Sequence, residues 1–166
     1  MSFEGLGLGG LSFDIWAEID LLLRLLAGMA AGIVVGWERT GKQRAAGIRT
    51  FGLVGLGTAA AATIFSGADQ VDAASRVVQG LVTGIGFLGA GVIVLRKGHT
   101  TPQGLTTAAA IWVTAALGCA AGLGDYAIVF SATLLAVGLL FLDHSIERRA
   151  GRPKPSGDGG GAEGTG

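Results

Sequence analysis

Charge is scarce in this chain. Only 14% of its 166 residues are Asp, Glu, Lys or Arg, and none occurs in 50–68, 77–95, 98–124 or 126–142. Helices of a soluble domain carry a polar outer face. Uncharged runs of this length leave no such face, which argues against a soluble globular domain. Cysteine is nearly absent as well: Cys119, inside an apolar segment, can form no internal disulfide and belongs to no Cys/His cluster with metal spacing. It reads as a small packing residue. Of the two histidines, His99 falls in a loop and His144 after the last apolar run, neither beside a partner suited to catalysis. No nucleophile–base pair, nucleotide loop or zinc pattern stands out, so neither enzymatic activity nor a cofactor or metal is expected. Nothing points to nucleic acid. The opening stretch, 1–11, lacks the basic n-region of a secretory signal.

What is present is apolar sequence on the scale of a bilayer, whose core of about 30 Å takes about 20 helical residues to cross. Spans are expected near 19–37, 51–65, 77–95, 104–123 and 126–142, making an all-α integral membrane protein with five transmembrane helices. Residues 1–18 read as a flexible or interfacial segment, with Ser12 or Asp14 as N-cap and Trp16 at headgroup level. The transmembrane domain occupies 19–147. A basic, then Gly/Pro/Ser-rich tail, 148–166, is expected to be disordered. Asp20 and Arg24 are spaced to pair at i,i+4. Residues 66–76 read as a polar loop, Thr101 and Pro102 as a helix start, and 122–125 as a tight turn.

The basic residues are one-sided. Ten of the 12 (Arg39, Lys42, Arg44, Arg49, Arg96, Lys97, Arg148, Arg149, Arg152 and Lys154) fall on one side of this arrangement. That side should be cytoplasmic, with the N-terminus outside and the C-terminus inside. Laying 32–50 over 89–107 sets Gly32 on Gly89, Arg39 on Arg96, Gly41 on Gly98, Gly47 on Gly104 and Thr50 on Thr107. A parallel repeat of two hairpins, followed by a fifth helix, would place two basic loops side by side. Three of these five identities are glycine in a chain with 31 glycines, which weakens the signal.

Gly28, Gly32 and Gly36 recur every four residues, the spacing that lets membrane helices approach closely. Gly84, Gly86, Gly89 and Gly91 crowd the third span. Residues 84–89 match G-x-G-x-x-G, but mid-membrane placement excludes a dinucleotide fold. Close helix packing is the favoured reading, and a broken helix lining a cavity the lesser one.

A candidate polar cluster consists of Glu38, Arg39, Arg49, Thr50, Thr106 and Thr107 at the cytoplasmic ends of spans one, two and four. Snorkelling at the membrane edge explains Glu38 and Arg39 as well as a site does, and helix capping is the commonest reason for threonines at positions such as Thr50, Thr106 and Thr107. The functional reading is an anion site, since helix N-termini beside a basic loop favour negative charge. An anionic lipid or a phosphate-bearing ligand would fit. A Mg²⁺ path would need oxygen ligands, and the span interiors carry no carboxylate.

G-W-E-R (36–39), A-G-I-R-T (46–50), G-I-G-F-L-G-A-G-V-I (84–93) and G-L-T-T-A-A-A-I-W (104–112) resemble the MgtC/SapB family of bacterial inner-membrane proteins over about 20–147. The resemblance carries onto Glu38, Arg39, Gly47, Arg49, Thr50, Gly84, Gly86, Gly89, Gly91, Gly104, Thr106 and Thr107. It implies a multi-pass protein of the bacterial inner membrane, linked to growth at low magnesium and, in pathogens, to survival inside host cells. It also implies action by regulating other membrane proteins, the F-type ATP synthase among them. Longer members carry a soluble C-terminal domain, and this chain reads as a short form without it. Two functions are therefore expected. One is a non-enzymatic regulator that contacts its own copies, a dimer favoured, or another membrane protein. The other is a small ion or solute transporter or channel.

Overall fold

A computed structural model describes residues 14–40, 46–66, 71–93 and 103–150, with side chains for 14–39, 46–66, 71–93 and 103–142. It contains five helices: α1 Ile15–Thr40, α2 Ile48–Thr63, α3 Val71–Val92, α4 Leu105–Gly122 and α5 Tyr126–Ala150. Three have the length and apolarity to cross a membrane, over Ile15–Arg39, Val71–Val92 and Leu105–Gly122. The apolar part of α5, Tyr126–Leu142, is shorter. The 16 residues of α2 measure only about 24 Å at 1.5 Å per residue.

The helix ends follow local chemistry. Asp14 accepts a hydrogen bond from the Trp16 N–H at 3.1 Å and starts α1, so the short interfacial helix and the first span form one continuous rod. Trp16 and Trp37, both exposed, stand near its two ends, about 31 Å apart at the helical rise. That separation matches the bilayer core, with an amphipathic ring for each interface. Helix α3 begins at Val71, inside the stretch read as a loop. Asp72 in its first turn suits the helix dipole, and the small residues that follow carry the helix through Arg76. Helix α4 ends in a Schellman motif. Gly124 has φ +84, its N–H donates to Ala121 O at 3.0 Å, and the Asp125 N–H donates to Ala120 O at 2.9 Å. Asp125 then caps α5 by accepting from the Ile128 N–H at 3.1 Å. Helix α5 continues to Ala150, into the stretch read as disordered. Thr101, Pro102 and 151–166 lie outside the described residues.

Glycine sets the core. A Cβ on Gly28 would stand 2.7 Å from Ala59 Cβ, and one on Gly36 would stand 2.8 Å from Phe51 Cβ. One on Gly32 would overlap the Phe51 carbonyl. These contacts run antiparallel along α1 and α2. Gly118 meets Gly55 and Thr58, and Gly122 meets Ala59 and Ala62, so α2 and α4 run parallel. Gly55, Gly118 and Gly122 are packing residues that the sequence reading misses, although 118 and 122 share the spacing of the α1 stripe. Lipid tails are as apolar as these side chains, so burial from water does not drive this association; close contact does. Each atom pair contributes only about 0.1–0.2 kcal/mol, so the stripes need backbone-to-backbone approach along several turns.

Helix α4 is the central element and packs against α1, α2, α3 and α5. Helix α3 is the least buried of the three long apolar helices. It is unbroken, which removes the broken-helix reading for 84–91. Among the described residues, a Cβ on Gly80, Gly84, Gly86 or Gly91 would meet nothing within 4 Å. Of the α3 glycines only Gly89 faces a described neighbour, Ala108 Cβ at 3.7 Å. The stripe on α1 is thus closed inside the chain, whereas Gly84, Gly86 and Gly91 are not packed against its described residues. They fall away from Ile85 and Gly89, the two buried residues of α3.

Candidate functional site

The two ends of the bundle each hold an arginine from α1. At the end where α4 terminates, Arg24 Nε meets Asp20 Oδ2 at 2.7 Å. Its Nη1 donates to Gly122 O at 3.1 Å and to Ser66 Oγ at 3.4 Å. Thr63 Oγ1 also donates to Gly122 O, at 3.2 Å. A cation and a hydroxyl therefore meet the last carbonyl of α4, where the helix dipole is negative. The Asp20 pairing is the one expected from sequence. The bond to Gly122 has no sequence signal, because it joins residues 98 positions apart.

Between the ends, the interior is mostly apolar or self-satisfied, with Thr133 Oγ1 of α5 a buried hydroxyl without a hydrogen-bond partner among the described residues. Thr58 Oγ1 donates to Val54 O and Thr114 Oγ1 to Ala110 O, each at 2.9 Å, so both buried hydroxyls are used within their own helices. Ala31, Val35, Ile111, Ala115 and Leu117 fill the space around them.

At the other end the six candidate residues do not gather into one cluster. Successive positions on a helix diverge by about 100°, and this separates Arg49 from Thr50. Arg49 lines a groove of about 400 Å³ with Met29, Ile33 and Gly52 on the α1–α2 side. Thr50 is exposed and lines a second groove, about 390 Å³, with Leu53, Gly57, Ile85 and Leu88 between α2 and α3. Thr106 is exposed. Thr107, in contrast, is buried, and so is Arg39. The helix starts are not capped by threonine either. The N-caps are Gly47 for α2 and Gly104, at φ +96, for α4, and neither can offer a side-chain cap. Lys42, Arg44, Arg96, Lys97, Arg152 and Lys154 lie outside the described residues, as do the side chains of Arg148 and Arg149.

Arg39 has the most unusual setting. Its side chain has no solvent exposure, and Glu38 Oε2 lies 2.9 Å from its Nε. The two residues are neighbours on one helix, where side chains do not face each other. The contact is an ion pair at short range that lacks hydrogen-bond alignment, and Nε, Nη1 and Nη2 of Arg39 have no hydrogen-bond partner among the described residues. A buried unmet donor costs about 1–3 kcal/mol, and more for a charged group. Among the described residues no group of three His, Cys, Asp or Glu is placed to hold a metal.

Comparison with known proteins decides the family. The MgtC family model matches residues 25–149, three quarters of the chain. The chain belongs to the MgtC family. It is 43% identical to Protein SrpB of Synechococcus elongatus over 118 residues, covering 64% of this chain and 65% of that protein. It is 43% identical to Protein MgtC of Salmonella typhimurium over 114 residues, covering 69% of this chain and 48% of that one. Against Protein MgtC of Brucella abortus it is 40% identical over 130 residues, covering 76% and 53%. The chain thus spans about half the length of these MgtC relatives. No solved structure matches it. All of α4 and most of α1 fall within the family match, so both the glycine-closed core and Arg39 belong to the shared region.

Proposed function

We propose that this chain is a non-enzymatic regulator in the bacterial inner membrane, linked to magnesium limitation or membrane-energy homeostasis. It acts by helix contact with a second copy, a dimer favoured, or with another membrane protein, while basic groups at its cytoplasmic end take an anionic group. The observation that carries this reading is the contrast between a sealed core and an open helix. The α1–α2–α4 interior is filled by glycine contacts and apolar side chains, and the buried Thr58 and Thr114 use their hydroxyls within their own helices. Helix α3 leaves Gly80, Gly84 and Gly91 open on one face, with Phe87 exposed beside them. In lipid such a face suits a partner helix. Five spans, N-terminus outside and C-terminus cytoplasmic, remain the topology that the basic residues support.

A second reading, a small ion or solute transporter or channel, draws on the parallel repeat. Gly32 packs on Phe51 and Gly89 on Ala108, so glycine and partner shift by the same interval, and Gly47 and Gly104 are both N-caps. Flux into proteoliposomes of purified protein, scanning Mg²⁺, H⁺ and phosphate, separates the two. A regulator gives no flux and yields a crosslink from a photoreactive group at position 84 to a neighbouring helix. Flux that Arg49→Ala removes would instead make the chain a transporter.

A further inference from the structure

Arg39 is buried in the last turn of α1, at the end of the bundle where α2 and α4 begin. The register that sets Gly28 against Gly118 runs antiparallel. The step from Gly28 up to Arg39 equals the step from Gly118 back to Thr107, so Arg39 reaches the level of the first turn of α4. The α1–α2 contacts, which end with Gly36 against Ile48, bring the same turn of α1 to the start of α2. Helix starts carry partial positive charge and N–H groups without intrahelical partners. Here both have glycine N-caps without side-chain oxygens. At their level sits a guanidinium whose two Nη atoms are unpaired among the described residues. Glu38 and the C-terminal end of α1 supply the negative charge here, against the guanidinium and the starts of α2 and α4. A planar fork of donors beside helix N-termini matches a tetrahedral oxyanion.

We propose that Arg39, with Thr107 and the first turns of α2 and α4, binds a phosphate-class oxyanion, either inorganic phosphate or a lipid phosphate headgroup. This rests on the anionic-group reading above and centres it on the buried Arg39. Occupied, the site closes the cytoplasmic end of the α1–α2–α4 core around a shared ligand. Empty, it leaves a buried cation with an incomplete set of partners. Binding therefore couples anion supply to the packing of the α1–α2–α4 core, on which the partner-facing α3 rests through α4.

The test uses the full chain in maltoside detergent, phosphate-free and at constant ionic strength, with chloride as the control anion. One arm titrates inorganic phosphate. The other places the protein in phosphatidylcholine nanodiscs with and without phosphatidic acid. The expected result is a saturable rise of several degrees in unfolding temperature in at least one arm. It should be abolished in Arg39→Met and kept in Arg49→Met. A rise in the first arm alone assigns free phosphate, and a rise in the second alone assigns the headgroup. If Arg39→Met does not fold, Arg39→Lys serves, since it keeps charge and loses the fork. Its phosphate midpoint should move at least tenfold, and an unmoved midpoint overturns the proposal. A response lost in Arg49→Met and kept in Arg39→Met would overturn the Arg39 site while leaving the anionic-group reading intact. No response of the unaltered protein in either arm would overturn both.

Discussion

Arg24 and Arg39 lie on the same helix, towards its opposite ends, and their surroundings are opposite too. Arg24 is partly exposed and meets a carboxylate, a hydroxyl and the carbonyl that ends α4. Arg39 is enclosed, with one poorly aligned carboxylate and no aligned partner among the described residues. The first sits at a helix C-terminus, where a cation is stabilised. The second ends its own helix, where a cation is favoured, but lies at the level of two other helix N-termini, where it is not. An arginine that locks a fold has its donors used in the folded chain, and one that waits for a ligand keeps them. By that measure Arg24 is a clasp and Arg39 a receptor.

The comparison depends on α1 holding its register, so the largest effect should come from Gly32→Leu. The new side chain would meet the Phe51 backbone, which cannot yield as a side-chain tip can. Overpacking against backbone should cost about 3 kcal/mol or more, read as loss of a monodisperse, cooperatively unfolding species in detergent. Next is Arg39→Met. Removing one partner of a buried ion pair costs about 3–5 kcal/mol because the other charge, here that of Glu38, is left uncompensated. In anion-free buffer the variant should unfold well below the parent, as followed by thermal denaturation. Arg24→Met should destabilise by about 1–2 kcal/mol in the same experiment. Its bonds to Gly122 and Ser66 are lost, while the ion pair with the half-exposed Asp20 adds little. The smallest effect belongs to the open helix. Gly84→Ala meets nothing within the described chain and gains helix propensity, so the isolated protein should be stabilised by at most about 1 kcal/mol. Loss of the position-84 crosslink in Gly80→Leu, with stability unchanged, would tie that face to a partner.

The parts of this fold that sequence reveals are those governed by one helix at a time. The Gly28, Gly32 and Gly36 stripe shows itself because a spacing of four in an apolar segment favours close helix approach. The Asp20–Arg24 pair shows itself because i,i+4 neighbours meet whatever else the chain does. What stays hidden depends on how helices are rotated against one another. Arg49 and Thr50 look like one site in sequence, and part because adjacent residues on α2 face different grooves. Arg39 looks like a snorkelling interfacial residue and is instead enclosed, because it continues the Ala31 and Val35 face of α1 into the core. The third-span glycines carry the same residue type as the α1 stripe, yet among them only Gly89 has a described neighbour. The start of α3 is hidden for another reason: Asp72 and Arg76 are charged, and charge marks the membrane edge without ending a helix.

The most direct test is thermal unfolding of the parent, Arg24→Met and Arg39→Met side by side, with and without phosphate at constant ionic strength. The account predicts that Arg24→Met unfolds earlier in either buffer and retains the phosphate-induced rise. Arg39→Met should unfold earlier too, with Glu38 left uncompensated, but show no rise with phosphate. An Arg39→Met protein that still responds to phosphate would contradict the account, because Arg39 would then be a clasp like Arg24.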